Sequence, residues 1–423
     1  MRNQSKVALL GADKFILALE HHDRHLGTSG NTCRYILDLD EGFDLHSFKE
    51  ALNSNEIVRW LSNMKLSSKL DNSNHWTQGE SRAINLTELH SNSSLPIELL
   101  EIKQNCYTAP LFYFHLIHRM NGTRSLIFSW HHLLMDGYGA SLFLKNLVEP
   151  QTIERTEKTR SPFTFGVFRE MVKAKRYISR SAKGKINTIE TKFKKEVQQT
   201  YRIIPFTAEE TSKIDKQAIA HGAKFGQGAF LLSSAANCVN KFLVKNGKSS
   251  QDFWVPVPQD SRKRGSNWPV LGNHLSFLFY RIDKAHLGDK KACIESLNAQ
   301  MMGQIKAGIP TAYGHLMNYL RRIPSPLYTR LIKGPNGKSL SSFLFTVAAE
   351  YPKDLIPFFG GKVLNAISVP PNTYPPGLTF AFNRFEGKLQ IVVLSYAHLM
   401  SDQDFKEMED SLRNELLDIT SSN

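Results

Sequence analysis

Residues 127–140 read IFSWHHLLMDGYGA and place two adjacent histidines, His131 and His132, shortly before Asp136. The β-branched and aromatic run IFSW favours a strand that ends at this histidine pair. The glycines after Asp136 favour a sharp bend of the backbone before the next apolar segment. A strand that ends in this way can deliver a histidine side chain to a cleft.

The segments on either side predict that this strand is the second of a β-hairpin. LFYFHLIHRM (111–120) and TRSLIFSW (123–130) are both strand-like. Asn121-Gly122 between them is typical of a type I′ turn, in which both residues have positive φ. After the motif, ASLFLKNL (140–147) predicts a helix, so the histidines are expected between a strand and a helix.

Length and composition predict a multidomain α/β protein. The chain has 423 residues, of which 41% are hydrophobic, enough for more than one core. Strand-like and helix-like segments occur in both halves. We predict an N-terminal lobe at 1–165, a basic connector at 166–204 and a C-terminal lobe at 205–423, with a ligand cleft between the lobes.

The cysteines and the hydropathy pattern bear on location. Four scattered cysteines without a CxxC pair favour free thiols in a reducing compartment. No run approaches the roughly 18 uncharged apolar residues that a membrane span needs. The expected location is the cytoplasm, with peripheral attachment to a membrane as the other option.

Positive charge is concentrated in one segment. The net charge is +14, and residues 151–200 hold 13 Lys or Arg against 5 Asp or Glu. A solvated basic helix explains this as well as an anionic partner does: a phosphate-bearing cofactor, an acidic carrier protein or a lipid surface. Within this segment, GVFREMVKAKRYISR (166–180) resembles a weak interfacial helix. No nucleic-acid-binding motif accompanies it, so nucleic acid is not the expected partner.

The histidine motif has three chemical interpretations. A metal site is disfavoured, because adjacent strand residues point to opposite faces and the two imidazoles would not converge on one ion. Both histidines can instead be hydrogen-bonded core groups. In the third interpretation one histidine faces the cleft as a general base, and Asp136 fixes the loop.

HHLLMDG resembles the HHxxxDG signature of the chloramphenicol acetyltransferase-like superfamily, which includes peptide condensation domains. The resemblance extends to LGADKFILALE (10–20), VPVPQDSRKRG (255–265), LGNHLSFLFYRI (271–282) and the closing hairpin at 377–396. It is nearest to the wax ester, diacylglycerol and polyketide-associated acyltransferases. It implies two lobes, each a mixed β-sheet with helices, and an active site in the channel between them.

The resemblance also implies roles for the motif residues. His132 would be the catalytic base, with His131 as support. Asp136 would be the carboxylate that stabilises the site by pairing with an arginine, for which Arg59 in NEIVRWL is the candidate. Gly137 would allow so close a turn that any Cβ would obstruct the channel.

The resemblance also implies a hydrogen-bond donor to the oxyanion that forms during acyl transfer, and two residues are candidates for it. Many relatives have a Ser-Asn pair in a late strand, where SFLFTVAAEYP offers Thr346. The Thr346 hydroxyl and the Asn273 amide are both candidates, and each can equally be structural. Asp260 and Arg262 are expected to hold a turn together.

The implied activity is acyl transfer from a thioester to a hydroxyl or amine acceptor, in lipid or secondary metabolism. Acyl-CoA or a phosphopantetheine-linked acyl thioester would be the co-substrate, with no bound cofactor and no metal. An acyl carrier protein or an anionic membrane surface would meet the basic segment at 167–195. The alternative is a non-catalytic, condensation-like module that docks a carrier protein.

Overall fold

The computed structural model describes residues 6–26, 30–67, 74–80, 84–151, 155, 164–189, 197–262, 269–324, 327–328, 330, 339 and 341–418. The helices are α1 (Gly11–Leu26), α2 (Leu45–Ser54), α3 (Glu56–Ser62), α4 (Ile97–Leu100), α5 (Gly137–Val148), α6 (Phe165–Ser181), α7 (Ala208–Ala220), α8 (Gly228–Lys245), α9 (Lys290–Lys306), α10 (Ile309–Leu320) and α11 (Asp402–Leu417). The strands are β1 (Val7–Ala8), β2 (Thr32–Leu39), β3 (Met64–Leu66), β4 (His75–Gln78), β5 (Leu86–His90), β6 (Phe112–His118), β7 (Arg124–His131), β8 (Gln199–Pro205), β9 (Phe253–Asp260), β10 (Leu275–Ile282), β11 (Leu344–Val347), β12 (Pro357–Phe358), β13 (Gly361–Val369), β14 (Thr379–Phe385) and β15 (Lys388–Tyr396).

Two mixed sheets organise the chain. The first has the strand order β12-β13-β2-β7-β6-β5, and the second has the order β11-β14-β15-β8. Each contains one parallel pair, β5 with β6 and β11 with β14, among antiparallel ones. Strands β9 and β10 form a separate antiparallel pair. The predicted α/β class with two mixed sheets is confirmed.

Each sheet buries its own hydrophobic core, and a third cluster joins them. Phe128 and Trp130 of β7 point into the first core, where Phe128 stacks on Phe114 with ring centroids 4.8 Å apart. Ile127 faces the other way, into a cluster that includes Val392 of the second sheet. The alternation along β7 therefore fixes one face to the N-terminal core and the other to the junction between the sheets.

The predicted division of the chain does not follow the sheets. β12 and β13 complete the first sheet, although they lie within 205–423, because β13 pairs with β2 along its length. Within the predicted connector, β8 forms an edge of the second sheet, and α6 packs against α10. Pairing with β13 satisfies the backbone hydrogen-bonding groups of β2, although the two strands are far apart in the sequence.

The predicted hairpin of β6 and β7 is confirmed, but its turn is not type I′. Gly122 has a φ of 82°, whereas Asn121 is not among the described residues with positive φ. The Asn121 side chain instead accepts hydrogen bonds from the Thr123 backbone N–H and hydroxyl, at 3.1 and 2.7 Å. This side-chain contact supports a loop that is longer than the predicted two-residue turn.

None of the described helices combines the length and apolar character that crossing a membrane requires.

Candidate active site

The histidine motif forms a tight loop between β7 and α5. The Trp130 indole N–H donates to the Met135 carbonyl at 2.9 Å, which closes the loop. Asp136 is the N-cap of α5, and its carboxylate accepts from the Gly139 backbone N–H at 2.9 Å. The strand end and the helix start therefore hold the histidines between two fixed points.

His131 is buried on the core side of the loop. Its Nδ1 accepts a hydrogen bond from the Leu133 backbone N–H at 3.1 Å. Its Nε2 lies 3.3 Å from the Glu20 carboxylate, outside the alignment of a regular hydrogen bond. Glu20 also accepts from the Asn31 backbone N–H at 3.1 Å. These contacts give His131 a supporting position.

The same cluster bears on metal binding. Glu20, Cys106 and His131 are buried and offer ligand atoms within 4.8 Å of one another. Since Nδ1 of His131 accepts an N–H, the neutral ring carries its proton on Nε2, the nitrogen that faces Glu20. A protonated Nε2 has no lone pair for a metal. The hydrogen-bond pattern therefore favours a histidine–carboxylate contact over ligation.

His132 has a different environment, because it lines a large cavity. The cavity has a volume of about 700 Å³ and is bordered by side chains of both halves, among them Phe15, Trp254, Phe277 and Tyr313. Nδ1 of His132 is buried and makes no hydrogen bond of regular geometry with a described residue, although the His132 and Met135 backbone carbonyls lie close enough to the ring to favour its protonated form. Nε2 is therefore the nitrogen that can meet a ligand. The lining is mostly apolar, as is typical of a small-molecule site.

Asp136 is held by Arg262. Nη2 of Arg262 donates to the two carboxylate oxygens of Asp136 at 2.8 and 2.6 Å, and the His274 backbone N–H donates at 2.9 Å. Burial by itself raises the pKa of Asp136, but Arg262 and these N–H groups outweigh it and hold the pKa below its ordinary value. Asp136 is therefore a carboxylate in a fixed position.

The prediction that Arg59 pairs with Asp136 was wrong. Arg59 lies at the end of α3, and its guanidinium donates to the Ser54 carbonyl at 3.3 Å in an exposed position. The predicted turn is confirmed, because Nη1 of Arg262 donates to both oxygens of Asp260 at 3.2 Å. The turn presents the rest of the Arg262 guanidinium to Asp136, so one arginine serves both contacts.

Asn273 supports the loop and has no free donor for an oxyanion. Its Nδ2 donates to the Asp13 carboxylate at 3.0 Å and to the His132 carbonyl at 2.9 Å. Both amide hydrogens are thus in use. Burial raises the pKa of Asp13 to about 6, although hydrogen bonds from Asn273 and Leu10 oppose the increase. The link from Asp13 through Asn273 to His132 was not predicted.

Thr346 is the other candidate donor. It lies on β11 and lines the same cavity as His132. Of the two predicted donors, Thr346 is therefore the one that borders the cavity.

Comparison with known proteins places this geometry in a known fold. No family model matches the chain, and no curated protein matches it in sequence. Among solved structures, trichothecene 15-O-acetyltransferase TRI3 from Fusarium sporotrichioides matches with a TM-score of 0.72 at 13% identity, over 98% of this chain and 95% of that one. The first condensation domain of the calcium-dependent antibiotic synthetase matches at 0.68 and 14%, over 98% and 96%. Polyketide synthase associated protein 5 from Mycobacterium tuberculosis matches at 0.64 and 13%, over 98% and 99%.

This chain has the chloramphenicol acetyltransferase-like fold. The likeness spans almost the whole length of each protein, so the two-lobed architecture expected from the sequence is confirmed. At this level of identity the likeness concerns the fold, and the chemistry of the site is argued from its own residues.

Within this fold, the crowded glycine is Gly139 and not Gly137. A Cβ built on Gly137 would meet only the Tyr35 hydroxyl, at 3.6 Å, which is an ordinary contact. A Cβ on Gly139 would lie 2.8 Å from the Val270 carbonyl oxygen. The backbone of Val270 therefore crosses α5 at Gly139, and the obstruction of the channel by a Cβ on Gly137 stays a prediction.

Gly139→Ala is therefore expected to destabilise the protein by about 1–3 kcal/mol through overpacking against backbone. Gly137→Ala is the matched control and is expected to be neutral or slightly stabilising, since alanine favours a helix over glycine by about 1 kcal/mol. Urea unfolding of both variants measures the difference. Equal stabilities would contradict the close approach of Val270.

The ionisation of His132 gives a second prediction. Burial lowers the pKa of His132, and its own backbone carbonyl and the Asp136 carboxylate only partly oppose this. The neutral, proton-accepting form therefore persists below the ordinary histidine value of about 6.5. If His132 is the base, the acid limb of the kcat/KM profile should lie below that pH.

The pKa of Asp13, which burial raises to about 6, could also produce an acid limb below pH ~6.5. An Asp13→Asn variant therefore serves as the control for this profile. An acid limb that arises from protonation of His132 remains in the Asp13→Asn variant. An acid limb at or above pH ~6.5, or one that disappears in Asp13→Asn, would contradict the assignment.

Proposed function

We propose that this protein transfers an acyl group from a thioester to a hydroxyl or amine acceptor, with His132 as the general base. Coenzyme A or the phosphopantetheine of a carrier protein would carry the thioester. The observation that carries the proposal is the position of His132: it lines the cavity with Nδ1 buried and with a lowered pKa. A neutral imidazole at neutral pH is a competent proton acceptor.

The chemistry proceeds without a covalent enzyme intermediate. The acceptor oxygen or nitrogen attacks the thioester carbonyl while its proton passes to Nε2 of His132. A tetrahedral oxyanion forms, and the Thr346 hydroxyl is the proposed donor to it. When the oxyanion collapses, the carbon–sulfur bond breaks, and the thiolate takes the proton from His132. A donor to such an oxyanion contributes about 3 kcal/mol in other enzymes.

The surroundings of His132 suit this role. Arg262 fixes Asp136, and Asn273 fixes the His132 carbonyl, so the imidazole does not have to be ordered when substrate arrives. The apolar lining of the cavity limits the water that can compete with the acceptor. The published names of the structural neighbours, an O-acetyltransferase and a condensation domain, are consistent with acyl chemistry in this fold.

The cavity also has a basic border. Lys175 of α6 is exposed, and both Lys175 and Lys183 line the cavity. Two ammonium groups there suit the phosphates of a coenzyme A or phosphopantetheine donor. The proposal therefore places the donor's anionic end at Lys175 and Lys183 and its thioester near His132.

The test is acyl transfer by the purified chain. We expect acceptor-dependent thiol release from a panel of acyl-CoA thioesters, with alcohols and amines as acceptors and products identified by mass. Lys175→Glu combined with Lys183→Glu should raise KM for the thioester with little change in kcat. Lys213→Glu combined with Lys216→Glu, on the exposed surface of α7, is the charge-matched control. Thioester binding without transfer to any acceptor would favour the carrier-docking module.

A further inference from the structure

Helix α6 has one buried side and one exposed side. Met171 and Ala174 are buried on the side that packs against α10. On the other side, Phe165 is 76% exposed and Phe168 is 45% exposed. Large aromatic side chains at such exposure on one helix are unusual, because each leaves apolar surface in water.

The spacing of the outward residues aligns them in two rows. The exposed Phe165 and Phe168 and the half-buried Val172 follow an i, i+3, i+7 pattern, which places them on one line along the helix. The exposed residues Arg169, Arg176 and Arg180 follow an i, i+7, i+11 pattern beside it. The outward face of α6 therefore combines an apolar row with a cationic row. This is the composition of a helix that lies at a membrane surface.

The helices next to α6 also carry exposed apolar side chains. Lys173 of α6 donates to the Ala307 carbonyl at 2.6 Å, which places the end of α9 beside α6. Ile305 and Met302 in that last part of α9 are 48% and 42% exposed, and Tyr319 of α10 is 45% exposed. Exposed apolar side chains are thus present on each of the three helices, and not on α6 alone.

We propose that this face of α6 docks on an anionic lipid surface. The Phe165 and Phe168 rings would enter the boundary between head groups and acyl chains, and the three arginines would contact lipid phosphates. The exposed apolar area beside a row of cations is the combination that an anionic bilayer surface accommodates. Docking requires no catalysis, so it does not rest on the proposed acyl transfer.

Docking through α6 would bring the border of the cavity close to the membrane. Lys175 and Ser179, on the same helix, line the apolar cavity that contains His132. A membrane at the outer face of α6 would lie close to this border of the cavity. A lipophilic substrate could then leave the bilayer and enter the cavity without crossing open water.

Co-sedimentation with vesicles tests the proposal. We expect the wild type to bind vesicles of equal parts phosphatidylcholine and phosphatidylglycerol, more weakly at higher salt, and not to bind pure phosphatidylcholine. Phe165→Ser with Phe168→Ser should weaken binding by about 10-fold or more, from the apolar area that no longer enters the membrane. Arg169→Glu, Arg176→Glu and Arg180→Glu together should weaken it by at least about 100-fold.

Matched controls lie on other exposed surfaces. Ile219 and Phe225 are 75% and 53% exposed, so Ile219→Ser with Phe225→Ser removes similar apolar area elsewhere. This variant should bind like the wild type. If the phenylalanine pair matters no more than this control while the arginines do, the surface binds an acidic protein or free phosphate, and the proposal is overturned. Absence of vesicle binding at low salt also overturns it. Phe165→Ser alone serves if a multiple variant melts below the wild type.

Discussion

His132→Ala is expected to lower kcat/KM for acyl transfer by about 100- to 10,000-fold, the range for loss of a general base. Alanine cannot accept the acceptor's proton, and the structure offers no other imidazole in the cavity among the described lining residues. The fold should survive, since His132 contributes a cavity wall and its backbone contacts remain. Steady-state kinetics and thermal unfolding of the same preparation measure both properties.

His46→Ala is a suitable control, because the His46 side chain is 81% exposed on α2. It should change neither activity nor melting. Rates near the wild type in His132→Ala would remove His132 from the chemistry. Low activity accompanied by a lower melting temperature would assign it to structure.

Arg262→Met is expected to cost about 3–5 kcal/mol of unfolding free energy, because it leaves the Asp136 carboxylate buried and unpaired. The Arg262 side chain is only 5% exposed and that of Asp136 only 12%, so solvent cannot replace the lost partner. Activity should fall as well, since Asp136 caps α5 directly after the His132 loop. Urea unfolding gives the stability, and the acyl-transfer assay gives the activity.

Arg59→Met separates the two candidate arginines. Arg59 contacts only an exposed backbone carbonyl in its described surroundings, so its loss should change stability by less than about 0.5 kcal/mol. Combining Arg262→Met with Asp136→Asn should cost much less than the sum of the two single changes. Additive costs, or a larger effect of Arg59→Met, would contradict the ion pair seen in the structure.

Local sequence patterns predicted the elements of the fold well. The β-branched and aromatic runs on either side of Asn121-Gly122 predicted the hairpin of β6 and β7. This feature depends on neighbours within a few residues. Strand propensities and turn residues are therefore sufficient to predict it.

Contacts between distant segments were not predictable from such patterns. The Arg262 that pairs with Asp136 lies 126 positions away, and the Asp13 that binds Asn273 lies 260 positions away. Arg59 was chosen on a resemblance within one lobe, whereas the partner comes from the other. Which charged groups meet is decided by the packing of the lobes, which no single window of sequence contains.

The glycines show the same limit at shorter range. The resemblance singled out Gly137, whereas the close packing of Gly139 depends on where the backbone of Val270 crosses α5. Similarly, β13 joins the first sheet because β2 has an open edge there, a property of the assembled sheet.

Single-turnover transfer, followed by thiol release and by the intact mass of the protein, tests most directly whether His132 drives direct acyl transfer. In the wild type we predict one thiol released for each acylated acceptor, with no acyl mass on the protein at any time, and in His132→Ala neither thiol nor product on the same timescale. An acyl group that accumulates on the wild-type chain, or equal product formation by His132→Ala, would contradict the account.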